Sequence, residues 1–183
     1  RLLSGAEIIW ECVIREETDV VFGYPGGAIL PAYDALTRYR DKIHHVLVRH
    51  EQGATHMADG YARASGKVGV AMATSGPGAT NLLTGIACSW FDSIPGIHIC
   101  GQVNTDELSG AVISTKNVRQ VGFQETDIVS MAKTITKFAY RIKSEKEIPY
   151  ILEKAYHIST SGRPGPVLID IPMNFQRKKI NIK

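Results

Sequence analysis

The chain has 183 residues, enough for one domain with a full hydrophobic core. Hydrophobic residues make up 44% and charged residues 21%, the ordinary balance of a soluble globular protein. The net charge of +3 is spread thinly, and its densest cluster, Arg177-Lys178-Lys179, is too small for a nucleic-acid face. No apolar run approaches the length of a membrane span.

Ala6, Ile9, Trp10, Val13 and Ile14 fall on helical spacing and predict a first helix. The apolar run Val20-Val21-Phe22 predicts a strand. The turn Gly23-Tyr24-Pro25-Gly26-Gly27 follows, then a helix striped by Ile29, Leu30, Tyr33 and Leu36. Val46-Leu47-Val48 predicts the next strand, and Ala54, Met57, Ala58, Tyr61 and Ala62 a helix with a small-residue face. A strand over 68–73 leads into Thr74-Ser75-Gly76-Pro77-Gly78 and a helix striped by Ala79, Leu82, Leu83, Ile86, Ala87 and Trp90. Ile97-His98-Ile99-Cys100 predicts another strand. Residues 102–124 break the rhythm as a long polar stretch, the kind of loop that is functional or a mobile surface excursion. Residues 135–142 alternate like a strand with one wet side. Ile148, Ile151, Leu152, Ala155 and Tyr156 predict the last helix, and residues 167–171 the last strand.

Strand and helix alternate, and the strands read as continuous apolar runs covered on both faces. The expectation is a single three-layer α/β/α domain with a mostly parallel sheet of about six strands. Residues 1–175 would form the domain and 176–183 a linker. Cys12, Cys88 and Cys100 form no C-x-x-C pair, and each lies in an apolar context that predicts a buried small residue. A reducing, cytoplasmic compartment follows, or an organelle if a transit peptide precedes Arg1.

Several motifs fail on inspection. Gly76-x-Gly78-x-x-Asn81 lacks the third glycine of a dinucleotide fingerprint, though the backbone N–H groups at this helix start could hold an anion. His50 and His56 are six residues apart, which turns them to different helix faces and rules out a zinc pair; no metal site is expected. Ser75 and Ser93 lack a nucleophile elbow. His98, in an apolar strand, predicts a satisfied core histidine. What remains is convergence. Residues 24–27, Glu51, residues 75–78 and Gln102 all follow predicted strands, so a parallel sheet would gather them at one carboxyl edge.

Read as motifs in order, the chain resembles the N-terminal, pyrimidine-binding domain of thiamine diphosphate-dependent enzymes, most closely the acetolactate synthases. The segments that carry the resemblance are 22–31, Arg49-His50-Glu51-Gln52-Gly53-Ala54, 58–64, 74–81, Asp92-Ser93-Ile94-Pro95, Gly101-Gln102-Val103, Phe123-Gln124-Glu125-Thr126-Asp127 and 161–167. By that resemblance Glu51 is the glutamate that shares a proton with N1′ of the cofactor's aminopyrimidine. That sharing activates the thiazolium carbon that attacks pyruvate, with the cofactor as electron sink. The resemblance further implies Pro25, Gly26, Gly27, Ser75 and Gln102 as cofactor-side residues, Gln124 as a catalytic residue and Phe123 on the substrate side of a subunit interface.

The same resemblance implies partners. Mg²⁺ and the diphosphate would be held by a C-terminal Gly-Asp-Gly motif, and FAD by a middle domain; neither is in this sequence. The active site would be shared between subunits of a homodimer or tetramer, and a regulatory small subunit belongs to the family. The isolated domain is therefore expected to be inactive. In acetolactate synthases a Pro follows Gly-Gln-Val, where Asn104 stands here, and the excursion to Phe123 is about ten residues longer than theirs. That departure leaves open a decarboxylase or a carboligase with an aldehyde or keto-sugar acceptor. A non-catalytic dimerisation or regulatory domain is the reading outside enzymology.

Overall fold

A computed structural model describes residues 1–109 and 118–182. A short strand β1 (Leu2–Ser4) leads directly into helix α1 (Gly5–Arg15). The helix starts there because Ser4 and Glu7 form a reciprocal capping box, with Ser4 N donating to Glu7 Oε2 at 2.8 Å and Glu7 N to Ser4 Oγ at 3.2 Å. Strand β2 (Val20–Gly23) follows, then a 3-10 turn over Gly27–Ile29 and helix α2 (Leu30–Leu36). Strand β3 (His44–Leu47) precedes helix α3 (Glu51–Ser65), which ends at Gly66 in the left-handed conformation, φ 73°. Strand β4 (Gly69–Ala73) leads to helices α4 (Pro77–Asn81) and α5 (Leu83–Asp92), then strand β5 (Gly96–Gln102). The second half holds α6 (Ile128–Ala132), β6 (Phe138–Arg141), α7 (Ile148–Thr160), β7 (Pro166–Pro172), α8 (Met173–Arg177) and β8 (Lys179–Asn181).

Six strands form one parallel sheet in the order β3-β2-β4-β5-β7-β6. The expected three-layer α/β/α architecture is the observed one. Its two faces differ in kind. Val21, Val70, Met72, Ile97, Ile99, Val167 and Ile169 face the layer of α1, α2 and α7. Alternate residues Ala71, Ala73 and Cys100 face α3, α4 and α5. Small side chains on that second face bring backbones close. A Cβ on Gly69 would stand 2.1 Å from Ala58 O, and one on Gly85 1.9 Å from Thr55 Oγ1. Helix α3 is thus clamped between β4 and α5, which holds its first residue in place.

Several sequence expectations shift. Strand β3 begins two residues earlier than its apolar run, because His44 and His45 pair with Val20 and Val21. Of the stripe expected for α2, Ile29, Tyr33 and Leu36 face the core, while Leu30 is 52% exposed and Ala32 and Ala35 join the buried face. The long helix over 79–90 is two helices that meet at Leu82. Ile135 belongs to a 3-10 turn, so the wet-sided strand shortens to β6. Cys100 is buried and Cys12 half-buried, but Cys88 is exposed on α5, against the expectation of a buried thiol. His98 is buried as expected but not satisfied; neither ring nitrogen has a partner among the described residues. The stretch read as a linker carries β8, which pairs antiparallel with β1, and Lys178 meets Glu145 at 2.9 Å. Residues 110–117 of the long polar stretch lie outside the described residues.

Candidate active site at the carboxyl edge

The strand order reverses direction at β2. From it the chain goes outward to β3, then crosses back to β4 on the other side. Open α/β sheets bind ligands in the crevice at such a switch point, outside the carboxyl ends of the strands. The turns after β2 and β4 flank that crevice, and Thr74 ties them together. Its Oγ1 accepts from Ala28 N at 3.1 Å. Its methyl group would lie 2.5 Å from a Cβ on Gly26 and 2.8 Å from one on Gly78. Both glycines are therefore required by close approach. Gly27, by contrast, has no heavy atom within 4 Å of where its Cβ would stand, so the crevice is open beside it.

Glu51 is the first residue of α3. His50 supplies the cap, its Nδ1 accepting from Gln52 N at 3.1 Å. The Glu51 carboxylate is half-buried and divided in use. Asn81 Nδ2 donates to Oε2 at 2.9 Å, while Oε1 lies 3.2 Å from the position of a Gly78 Cβ. Any larger residue at 78 would cover Oε1. A carboxylate at a helix N-terminus is favoured by the dipole, and here one oxygen is fixed while the other borders a glycine face.

The remaining predicted residues sort into two groups. Pro25, Gly26, Gly27 and Ser75 sit in the two turns, with Ser75 only 5% exposed. Gln124 reaches the same turn: its Cβ would be 2.6 Å from a Cβ on Gly76, and both residues have positive φ, 58° and 62°. Phe123 stands 83% exposed beside it. Gln102 belongs elsewhere. It is 1% exposed, and its amide donates to Thr126 O at 2.8 Å and Asp170 Oδ2 at 3.1 Å while accepting from Val103 N at 3.0 Å. Its side chain is committed to a buried cluster with Asp170 and Arg141, whose Nε donates to Asp170 at 2.6 Å. Burial pushes the Asp170 carboxyl up to about 6, and Arg141 and Gln102 oppose that rise.

Sequence reasoning placed Gly78 at the converging edge but gave Thr74 and Asn81 no role of their own. Asn81 was visible as the residue spoiling a dinucleotide fingerprint and as the end of the resembling segment 74–81, without a role. A usable signal lay in the adjacency: Thr74 closes β4 and Asn81 closes the short helix that follows, both on the edge that holds Glu51. His50 and His56 are accounted for by the α3 cap and a contact with Gln52. Among the described residues no group of three or more His, Cys, Asp or Glu could hold a metal ion, and no helix is long and apolar enough to cross a membrane.

Residues 3–131 match the family model described as thiamine pyrophosphate enzyme, N-terminal TPP binding domain. The chain belongs to the thiamine pyrophosphate enzymes. Within that family the matched span carries Glu51, both turns, Asn81, Phe123 and Gln124. Similar curated proteins include the acetolactate synthase isozyme 3 large subunit of Escherichia coli, 48% identical over 171 residues, covering 93% of this chain and 28% of the relative. The mitochondrial acetolactate synthase catalytic subunit of Saccharomyces cerevisiae is 50% identical over 170 residues, covering 93% of this chain and 23% of the relative. The probable acetolactate synthase large subunit of Methanocaldococcus jannaschii is 48% identical over 181 residues, covering 99% and 29%. The chain thus spans less than a third of the length of these thiamine pyrophosphate enzymes.

Proposed function

We propose that this domain holds the aminopyrimidine end of thiamine diphosphate in the crevice between β2 and β4, as the N-terminal part of an acetolactate synthase-like carboligase. Its reaction would decarboxylate pyruvate and join the two-carbon unit to a second 2-keto acid. The observation that carries the reading is the divided carboxylate of Glu51. One oxygen is fixed by Asn81 and the other borders Gly78, on a crevice that is open beside Gly27. The donor chemistry fits: a carboxylate can share a proton with a ring nitrogen, and open backbone at Gly27 can meet an exocyclic amine.

When bound, thiamine diphosphate supplies the electron sink for decarboxylation. The rest is done by residues of the protein. Glu51 holds and moves a proton at its carboxylate. Asn81 orients that carboxylate, and Thr74 sets the distance between the two turns. The tight packing of α3 against β4 and α5 at Ala58 and Thr55 holds the helix that carries Glu51 in place. Gln124, docked on Gly76, and Phe123, exposed beside it, would face the substrate and a neighbouring subunit.

In this reading the diphosphate, Mg²⁺ and FAD are held by parts of the protein outside this chain. The site is shared in a homodimer or tetramer, with a regulatory small subunit as a further partner and the cytoplasm or an organelle as the compartment. The chain alone would not turn over pyruvate. The test supplies the whole reading frame with pyruvate, thiamine diphosphate and Mg²⁺. Acetolactate formed by the native protein and lost in Glu51→Gln is the expected result. Pyruvate consumed without acetolactate would move the acceptor to another class, and no consumption would overturn the catalytic reading.

A further inference from the structure

Behind Glu51, on the α2 side of the sheet, two side chains carry polar atoms that nothing satisfies. The Tyr33 hydroxyl and His45 Nε2 are both buried and have no hydrogen-bond partner among the described residues. Their rings meet edge to face, with centroids 5.0 Å apart and planes at 85°. Orphaned buried donors and acceptors are rare because they forfeit their hydration, so two in contact call for a common partner.

Both groups converge on Gly23, the last residue of β2. The Tyr33 hydroxyl occupies the space of the missing side chain, 2.3 Å from where a Cβ would stand. The Gly23 backbone also acts on the His45 ring, favouring its protonated form against the stronger opposing effect of burial. Gly23 O in turn accepts from Val48 N at 3.1 Å, which pins the turn that leads from β3 to Glu51. Burial first, and the Glu51 charge second, push the Tyr33 hydroxyl pKa up, so the carboxylate lies within electrostatic reach of that hydroxyl.

We propose that Tyr33 and His45 are positioning residues for Glu51: their two free polar atoms hold one ordered water beside Gly23, and that water fixes the β3–α3 turn on which the carboxylate stands. A buried water needs two to four polar partners. The Tyr33 hydroxyl and His45 Nε2 supply two. The outer side of the pair lines a cleft of about 390 Å³ with Thr37, Arg40 and His44, a route by which water reaches it. The inference rests on the proposed role of Glu51 for its consequence in catalysis, but its structural part stands separately.

The test has two arms. Crystal structures of this chain, native and Tyr33→Phe, at a resolution that shows ordered solvent, should reveal a water within hydrogen-bond distance of Tyr33 and His45. The substitution should remove it and break the Glu51–Asn81 contact. A dry site in the native chain, or an unmoved Glu51 in the variant, overturns the proposal. In the whole protein Tyr33→Phe should lower kcat about tenfold with KM for pyruvate and cofactor unchanged, and His45→Asn should do the same. Unchanged kcat in both variants overturns it too. Full turnover by Glu51→Gln would instead overturn the cofactor reading, and the crystal structures alone would then decide whether the pair positions Glu51.

Discussion

Asn81 donates its side-chain amide to Glu51 Oε2 at 2.9 Å across a sequence separation of thirty residues. The bond links the end of α4 to the start of α3 and fixes which carboxylate oxygen faces the crevice. Asn81→Ala should therefore leave the fold intact and lower kcat of the whole protein by about 10- to 100-fold, a part of the roughly 100- to 10,000-fold that positioned proton transfer contributes, because Glu51 itself remains. The domain itself should lose only about 1 kcal/mol, measured by urea unfolding. Kinetics and unfolding on the same variant separate the two effects.

Gly78 is the second control on that carboxylate. A Cβ there would stand 2.8 Å from the Thr74 methyl and 3.2 Å from Glu51 Oε1. The methyl of Gly78→Ala must displace one of them. Cofactor affinity should fall at least tenfold by titration calorimetry on the whole protein. Pairing it with Thr74→Ser, which removes the methyl and keeps the hydroxyl for Ala28 N, should restore part of that affinity.

How much of this was legible beforehand depended on which signal a residue gives alone. The six strands and the place of Glu51 followed from apolar runs and the turns that punctuate them. The β1–β8 ribbon gave no signal, because three-residue strands carry no period and their pairing joins the two ends of the chain. The exposure of Leu30 on α2 was hidden because Ala32 and Ala35 fill the buried face where larger residues were weighed more heavily. Within the site, Glu51 was readable as a carboxylate at a strand–helix turn. Gln102 looked equivalent by position, yet its side chain turns inward to Asp170, and sequence does not say which way an amide turns. Thr74 and Asn81 matter through contacts at long separation, which no local pattern encodes.

Gly85 makes a stability prediction that does not depend on function. Its missing Cβ would lie 1.9 Å from Thr55 Oγ1, so α3 and α5 touch there without room for a methyl. Gly85→Ala should destabilise the domain by about 1–3 kcal/mol through overpacking. That corresponds to a fall in Tm of roughly 2–12 °C for a chain of this size. Thr55→Ala in the same chain removes the opposing oxygen but keeps the Cβ 2.4 Å away, so it should recover little, whereas Thr55→Gly should recover more of the packing loss; equal recovery by both would mean the strain is released elsewhere.

Two buried groups set opposite pH responses. Burial lowers His98 from its ordinary 6.5 to about 3, so between those values the unfolded chain binds a proton that the native one does not. Stability from this group is full above pH 6.5 and is lost as pH falls toward 3. Burial raises Asp170 from 3.8 to about 6, against the pull of Arg141 and Gln102, so between those values the native chain binds the extra proton. Its contribution is full below pH 3.8 and is lost as pH rises through 6. The two slopes, each about 1.4 kcal/mol per pH unit, oppose one another from pH 4.5 to 6. The native domain should therefore show nearly flat stability over that range by urea unfolding. Asp170→Asn removes one side of the balance, and the variant should lose about 2 kcal/mol between pH 6 and pH 4.5 relative to its own value at pH 6. A flat profile in the variant would mean that His98 gains a proton partner in the folded chain.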